Sequence, residues 1–179
     1  MTQRNDDTDE LVEQWVSAVP EINAQVEGVV DRVLMLARYL DRLAERLAGE
    51  FDLHFPDYEI LARLFWVGPP HRLRPSQLAA GTMTAATTVT SRLDRLEKRG
   101  LVNRVRDLTD RRVLSAELSD KGRELFVQIV RRQAMAEHEL FGRMSPDKMN
   151  MLTDLLSDLL MSFEDRLGPA PRRVRLALS

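Results

Sequence analysis

Hydroxyl groups and guanidiniums crowd one short stretch of this chain. Thr84, Ala85, Thr87, Thr88 and Ser91 come first, then Arg92, Arg95, Arg104 and Arg106, then Asp110, Arg111 and Arg112. Short hydroxyl and methyl side chains let a helix approach base edges closely, and a threonine methyl can touch a thymine methyl. Arginine forks take guanine or phosphate. A basic hairpin tip beside such a helix suits a narrow, A·T-rich minor groove. Asp110, two residues before Arg112, can hold that arginine's fork in place. Taken singly, a polar helix face is ordinary surface and Asp-Arg-Arg an ordinary solvated turn. Together, and followed in order, they point to double-stranded DNA.

Those residues need elements to hold them. Val89, Leu93 and Leu96 recur at helical spacing and point inward, so Thr84–Arg99 reads as a recognition helix capped by Thr84 and left through Gly100. Leu101–Arg106 and Val113–Leu118 read as strands joined by the polar turn Asp107–Arg112. Pro75 opens a short preceding helix, with Gly81 in the turn that follows and Arg74 where a Ser or Thr cap is expected. This is a helix-turn-helix with a wing.

Three helices precede it. One runs from near Asp9 to Ala18 and is closed by Pro20. A long one carries Val26, Val29, Val33, Leu36, Leu40, Leu43 and Leu47, widened by Val30, Leu34 and Ala37, and ends at Gly49. That pattern predicts a largely buried helix. A third carries Tyr58, Leu61, Leu64 and Phe65. Ser119 caps a sixth helix, and Ser145-Pro146 opens a seventh with Met149, Leu152, Leu155, Leu156, Leu159 and Phe163 on its apolar side.

The predicted order is α-α-α-α-α-β-β-α-α, mainly α with a small β wing. The expected organisation is N-terminal helices for dimerisation and a ligand pocket (1–49), a winged helix-turn-helix lobe (50–118), C-terminal dimerisation helices (119–168) and a basic mobile tail (169–179). The terminal helices hold more apolar surface than a small wing domain can bury. A homodimer would bury it, and would match two half-sites of a palindrome.

Composition agrees. The 179 residues are 44% hydrophobic and 30% charged with a net charge of −2, as in a globular chain. That charge is uneven. Residues 1–70 sum to −8, residues 71–112 to +6 and residues 113–179 to zero. Phosphate neutralisation needs a basic face, not a basic protein. There is no cysteine, which excludes disulfides and thiolate metal sites. No signal peptide or membrane-length apolar run is visible, so a cytoplasmic location is expected.

The run Ser91-Arg92-Leu93-Asp94-Arg95-Leu96-Glu97-Lys98-Arg99-Gly100-Leu101-Val102, with Asp110-Arg111-Arg112 and Leu118-Ser119-Asp120-Lys121-Gly122, resembles the MarR family of bacterial transcription regulators over about residues 25–165. The resemblance implies a homodimer on a pseudopalindromic operator, usually a repressor released by a small molecule. The added N-terminal helix with Trp15 is similar to that of the family's urate-responsive subgroup. By that resemblance Trp15, Glu59, Arg92 and Arg104 would line a pocket for a planar anionic or phenolic ligand. The subgroup has aspartate where this chain has Glu59. Read from the residues alone, Trp15 is equally a dimer-core anchor, and Arg104 a phosphate contact or a strand-end ion pair.

Enzymatic readings find no support. His54, His71 and His138 are far apart, and no phosphate loop, nucleophile arrangement or cofactor fingerprint occurs. No metal or cofactor is expected, and Asp94, Glu97, Asp107 and Asp110 read as ion-pair partners. The rival classes are a winged-helix module that binds an acidic protein rather than DNA, and a regulator that answers to no ligand.

Overall fold

The computed structural model describes residues 6–82, 85–107 and 112–168. The order is α1 (Asp7–Ala18), α2 (Ala24–Glu50), α3 (Phe55–Trp66), β1 (Arg72–Leu73), α4 (Pro75–Thr82), α5 (Ala86–Lys98), β2 (Val102–Arg106), β3 (Leu114–Leu118), α6 (Asp120–Phe141) and α7 (Pro146–Leu167). The mainly helical architecture with a small β wing is the one predicted. The chain divides into two units, Met1–Arg46 and Leu47–Ser179. No described helix is long and apolar enough to cross a membrane.

In the first unit α1 begins with a capping box. The Asp6 side chain accepts the Thr8 N–H at 3.0 Å, and Asp9 reaches back to the Asp6 N–H at 3.1 Å. Arg32 of α2 grips the same two carboxylates, at 2.9 Å for Asp6 and 2.7 Å for Asp9. Asn23 caps α2 by accepting the N–H groups of Gln25 and Val26. The long apolar row of α2 departs from the sequence expectation of a buried helix. Val26, Val29, Val33, Leu34, Leu36 and Leu40 are exposed, and of the row only Leu43 and Leu47 are buried. Periodicity reports that a face wants cover; it does not report that one chain supplies the cover.

Gly49 also does not end α2, which runs one residue further. The turn is made by Asp52, at φ 58. Aspartate tolerates the left-handed region, so a glycine was not required there.

The second unit packs around Ala48, Leu53, Ile60, Leu61, Leu64, Leu78, Val89, Leu93, Leu96, Leu101, Val102, Ala116, Phe126 and Ile129. Its sheet is antiparallel with order β1-β3-β2. The register pairs Val102 with Leu118 and Arg106 with Leu114, and Leu73 with Ala116. The strand β1 was not anticipated. Two residues between Gly68-Pro69-Pro70 and Pro75 carry no alternation to read, and only the exposed edge of β3 makes them a strand.

The exit from α5 is a full Schellman motif. Gly100 sits at φ 70, its N–H reaches the Glu97 carbonyl at 2.8 Å, and the Leu101 N–H reaches that of Leu96 at 3.0 Å. Ser119 then joins this corner to α6. Its hydroxyl donates to the Gly100 carbonyl at 2.7 Å and accepts the Gly122 N–H at 2.9 Å. Gly122 lies so close to the Leu101 carbonyl that any Cβ would collide with it. Ser145 caps α7, whose residues include none that are buried.

Candidate nucleic-acid interface

The interface is built on α5, which begins at Ala86 with Ala85 as its N-cap and no side-chain cap bond. The recognition helix is therefore shorter than Thr84–Arg99, and Thr84 lies outside the described residues, as do Asp110 and Arg111. Val89, Leu93 and Leu96 are fully buried, as their spacing predicts. The opposite face presents Ala85, Thr87, Thr90, Ser91 and Arg95, with Thr88 and Arg92 half-buried at its margin.

Two hydroxyls on this face bond back to the helix. Thr90 donates to the Ala86 carbonyl at 3.1 Å, and Ser91 donates to that of Thr88 at 2.9 Å. A hydroxyl whose proton is engaged in this way presents lone pairs outward. Such a face accepts from the amino groups of adenine or cytosine.

The arginines fall into two sets. Arg95 is spoken for: its Nε and Nη2 donate to the two Asp57 oxygens at 3.0 and 2.8 Å, and this pairing holds its guanidinium basicity above the usual arginine value. Asp57, near the start of α3, is almost fully buried. Arg104 on β2 donates to Asp94 at 2.7 Å and lies 3.9 Å from Glu97, both on α5. Arg99 donates to the carbonyls of Phe51 and Asp52 in the turn before α3. These three fasten α5 to α3, to β2 and to the turn after α2.

The remaining arginines fasten none of these elements to one another. Among the described residues, the side chains of Arg92 and Arg106 have no hydrogen bond or ion pair. Arg112, at the C-terminal side of the wing turn, is exposed.

The wing is anchored at its base. Arg72 bonds Glu117 through Nε at 2.8 Å and reaches the Arg106 carbonyl at 3.4 Å. Asp107 accepts from Arg74 at 2.6 Å and from the buried Ser115 hydroxyl at 2.7 Å. Sequence reasoning missed Asp57, Arg72 and Arg74 as part of this machinery. A buried acid near a helix start has no local signature, and Arg74 looked only like a poor cap.

Gly81 is also placed differently from expectation. It lies in the last turn of α4 rather than in the following turn. A Cβ there would come within 2.5 Å of the Arg63 guanidinium, so a larger residue would have to push that side chain aside. Arg63 is partly buried with its Nε unsatisfied; burial lowers its pKa, opposed by the nearby Glu59 charge. Glu59 is half-buried on α3, while Trp15, on α1 of the other unit, stands exposed. Among the described residues no cluster of three or more His, Asp or Glu could hold a metal ion.

Comparison with known proteins places this geometry. Residues 56–114 match the MarR family model. The chain is similar to the HTH-type transcriptional regulator PecS of Dickeya dadantii, at 29% identity over 82% of this chain and 89% of that one. It is also similar to the transcriptional repressor MprA of Escherichia coli, at 31% identity over 50% of this chain and 51% of MprA. Among solved structures, a MarR family protein from Bacillus stearothermophilus aligns with a TM-score of 0.68 at 21% identity, covering 79% of this chain and 98% of that one. The MarR family transcriptional regulator AbsC of Streptomyces coelicolor aligns with a TM-score of 0.62 at 25% identity, covering 81% and 98%. Over residues 56–114 the chain thus matches the MarR family, and the relatives it is similar to are transcription regulators.

Proposed function

We propose that this protein is a homodimeric, sequence-specific DNA-binding regulator working in the cytoplasm. In this reading α5 lies in the major groove of each half of a pseudopalindromic operator. Thr87, Thr88 and Ser91 meet base edges, with Thr84 and Ala85 at the leading end. Arg92 and Arg106 take phosphate or guanine, and Arg112 enters the adjacent minor groove; Asp110 and Arg111 join it on the sequence argument alone. Arg95 belongs to the same surface, with its fork held by Asp57. The observation that carries the reading is the sidedness of α5: three fully buried apolar side chains on one face and small hydroxyls with Arg92 and Arg95 on the other.

Dimerisation rests on exposed apolar surface. Besides the row on α2, α7 exposes Met151, Leu155, Leu156, Leu159, Leu160 and Phe163. Such a surface exceeds what a monomeric chain normally leaves open. A second copy, paired through a two-fold axis, covers both rows and sets the distance between recognition helices.

The proposed effector is a small planar anion or phenol, urate-like in shape, met within the second unit by Glu59, Arg92 and Arg104; the sequence resemblance is what adds Trp15. Arg92 is the group best prepared for it, being half-buried and without a partner among the described residues. For Arg104 the ligand must displace Asp94, so binding there would loosen the contact between α5 and β2. A ligand that favours a different spacing of recognition helices weakens DNA binding by linkage, and the regulator acts as a repressor released by it.

The test is selection of a duplex by the protein from a random library, then titration with urate and a panel of phenolic acids. Tight, salt-sensitive binding released by one compound supports the whole reading. Binding released by none leaves a ligand-independent regulator. Failure to select any duplex refutes DNA binding and favours a module for an acidic protein partner.

A further inference from the structure

Arg74 occupies the position before Pro75, where a short hydroxyl or amide side chain normally caps a helix. Only the reciprocal half of a capping box is made, the Gln77 Oε1 accepting the Arg74 N–H at 2.8 Å. The long side chain is then available for something a cap residue cannot reach. Its Nη2 donates to Asp107 Oδ1 at 2.6 Å, while Asp107 Oδ2 accepts the Ser115 hydroxyl at 2.7 Å. The Asp107 N–H in turn reaches the Val113 carbonyl at 2.9 Å, closing the base of the wing.

The place of this contact in the sheet matters. β1 pairs with β3 only at Arg72–Glu117 and Leu73–Ala116. From Ser115 toward the tip, β3 has β2 alone as its neighbour. A two-stranded ribbon is weakly determined by itself and twists more strongly than a wider sheet. Arg74 directly follows β1, so its side chain continues the third strand's support past the point where the backbone pairing stops. Asp107 is 11% exposed and Ser115 is fully buried, so the bonds are made in a shielded place.

We infer that Arg74 is a positioning residue for the wing. It ties the first turn of α4 to the base of the hairpin and thereby sets the direction in which Arg106 and Arg112 project toward DNA. This rests on the DNA-binding reading above for its consequence, but not for its geometry.

The test separates the two. The chain has no cysteine, so Lys98→Cys and Leu114→Cys, both at exposed positions, accept one spin-label pair per chain in protein diluted with unlabelled copies. In free protein Arg74→Ala should broaden the label distance distribution about twofold, and Asp107→Asn should do the same. The double variant should be no broader than either single, since residues acting through one contact are not additive. On the duplex selected by the wild-type protein, Arg74→Ala should abolish hydroxyl-radical protection in the flanking minor grooves and keep it over the centre. The affinity should drop about tenfold, on the scale of one charge-assisted contact. Unchanged distances and an unchanged footprint would overturn the inference, as would additive effects of the two single variants. If Arg74→Ala unfolds the protein, Asp107→Asn, which keeps the Ser115 bond, decides by the same two readouts. If the wild type selects no duplex, the DNA-binding reading falls, and the label distances alone confirm or refute the wing tether.

Discussion

Arg95 on the recognition helix and Asp57 on α3 form a two-pronged ion pair, Nε to Oδ2 at 3.0 Å and Nη2 to Oδ1 at 2.8 Å. The Asp57 side chain is 3% exposed and that of Arg95 is 49% exposed. The pair therefore fixes the rotation of α5 from within while leaving one flank of the guanidinium at the surface. Arg95→Ala strands a carboxylate in the core. We expect a loss of about 2 kcal/mol in urea unfolding, below the usual cost of a fully buried broken pair because Arg95 is half-exposed. Arg95→Lys keeps the charge without the fork and should recover only part of it. Equal stability of all three proteins would show that the pair does not set the helix.

Arg112→Ala should reduce operator affinity and flatten its salt dependence. Each phosphate contact contributes roughly 0.9 to the slope of log affinity against log salt, so a dimer should lose about two units. An unchanged slope would count against a wing contact with DNA. Wild type and variant, titrated at several salt concentrations, provide the comparison.

Gly122→Ala places a methyl group against the Leu101 carbonyl, at the corner where the Schellman turn meets α6. Backbone cannot yield as a flexible side chain would. We expect destabilisation of roughly 2 kcal/mol or more by thermal or urea unfolding. Gly100→Ala, whose methyl meets only the Lys121 side chain at 4.0 Å but which needs φ 70, should cost about 1 kcal/mol.

The attachment of α1 should depend on acid. Hydrogen bonding from Arg32 lowers the pKa of Asp6, and the reciprocal bonds raise that of Arg32. A depressed carboxylate pKa gives stability that is present above the unfolded value, about 3.9, and is lost as pH falls through the lower folded value. Trp15 fluorescence in a Trp66→Phe background should thus report release of α1 only below about pH 4. Arg32→Ala should loosen α1 at neutral pH as well. A fluorescence profile identical for the two proteins would show that other contacts hold the helix.

Trp15→Phe should leave a folded dimer and weaken the response to effector, measured as ligand-induced release of the selected duplex. Loss of the dimer in sedimentation would instead assign Trp15 to the subunit core. The indole is exposed in the single chain, which leaves it available to either partner.

By itself the sequence determined the elements with strong local causes. Val89, Leu93 and Leu96 repeat every turn, Gly100 meets the one backbone conformation that glycine tolerates best, and Ser119 and Ser145 cap the helices that follow. Apolar period, left-handed turns and caps act within a few residues, so one strand of text records them. The motif around Arg92–Val102 and the run of basic charge likewise made the DNA-binding class legible before any fold was known. Tertiary structure decided what depends on residues far apart in the chain. It chose Arg95, Arg99 and Arg104 as fasteners and gave Arg92 and Arg106 no partner among the described residues, because an arginine's role is set by whichever carboxylate or carbonyl the fold brings within 3 Å. It made a strand of Arg72–Leu73 because β3 had an open edge, and turned Arg74 from a poor cap into a tether because Asp107 lies opposite. It also left the apolar row of α2 uncovered, since periodicity specifies a face to be buried and only three-dimensional packing specifies against what.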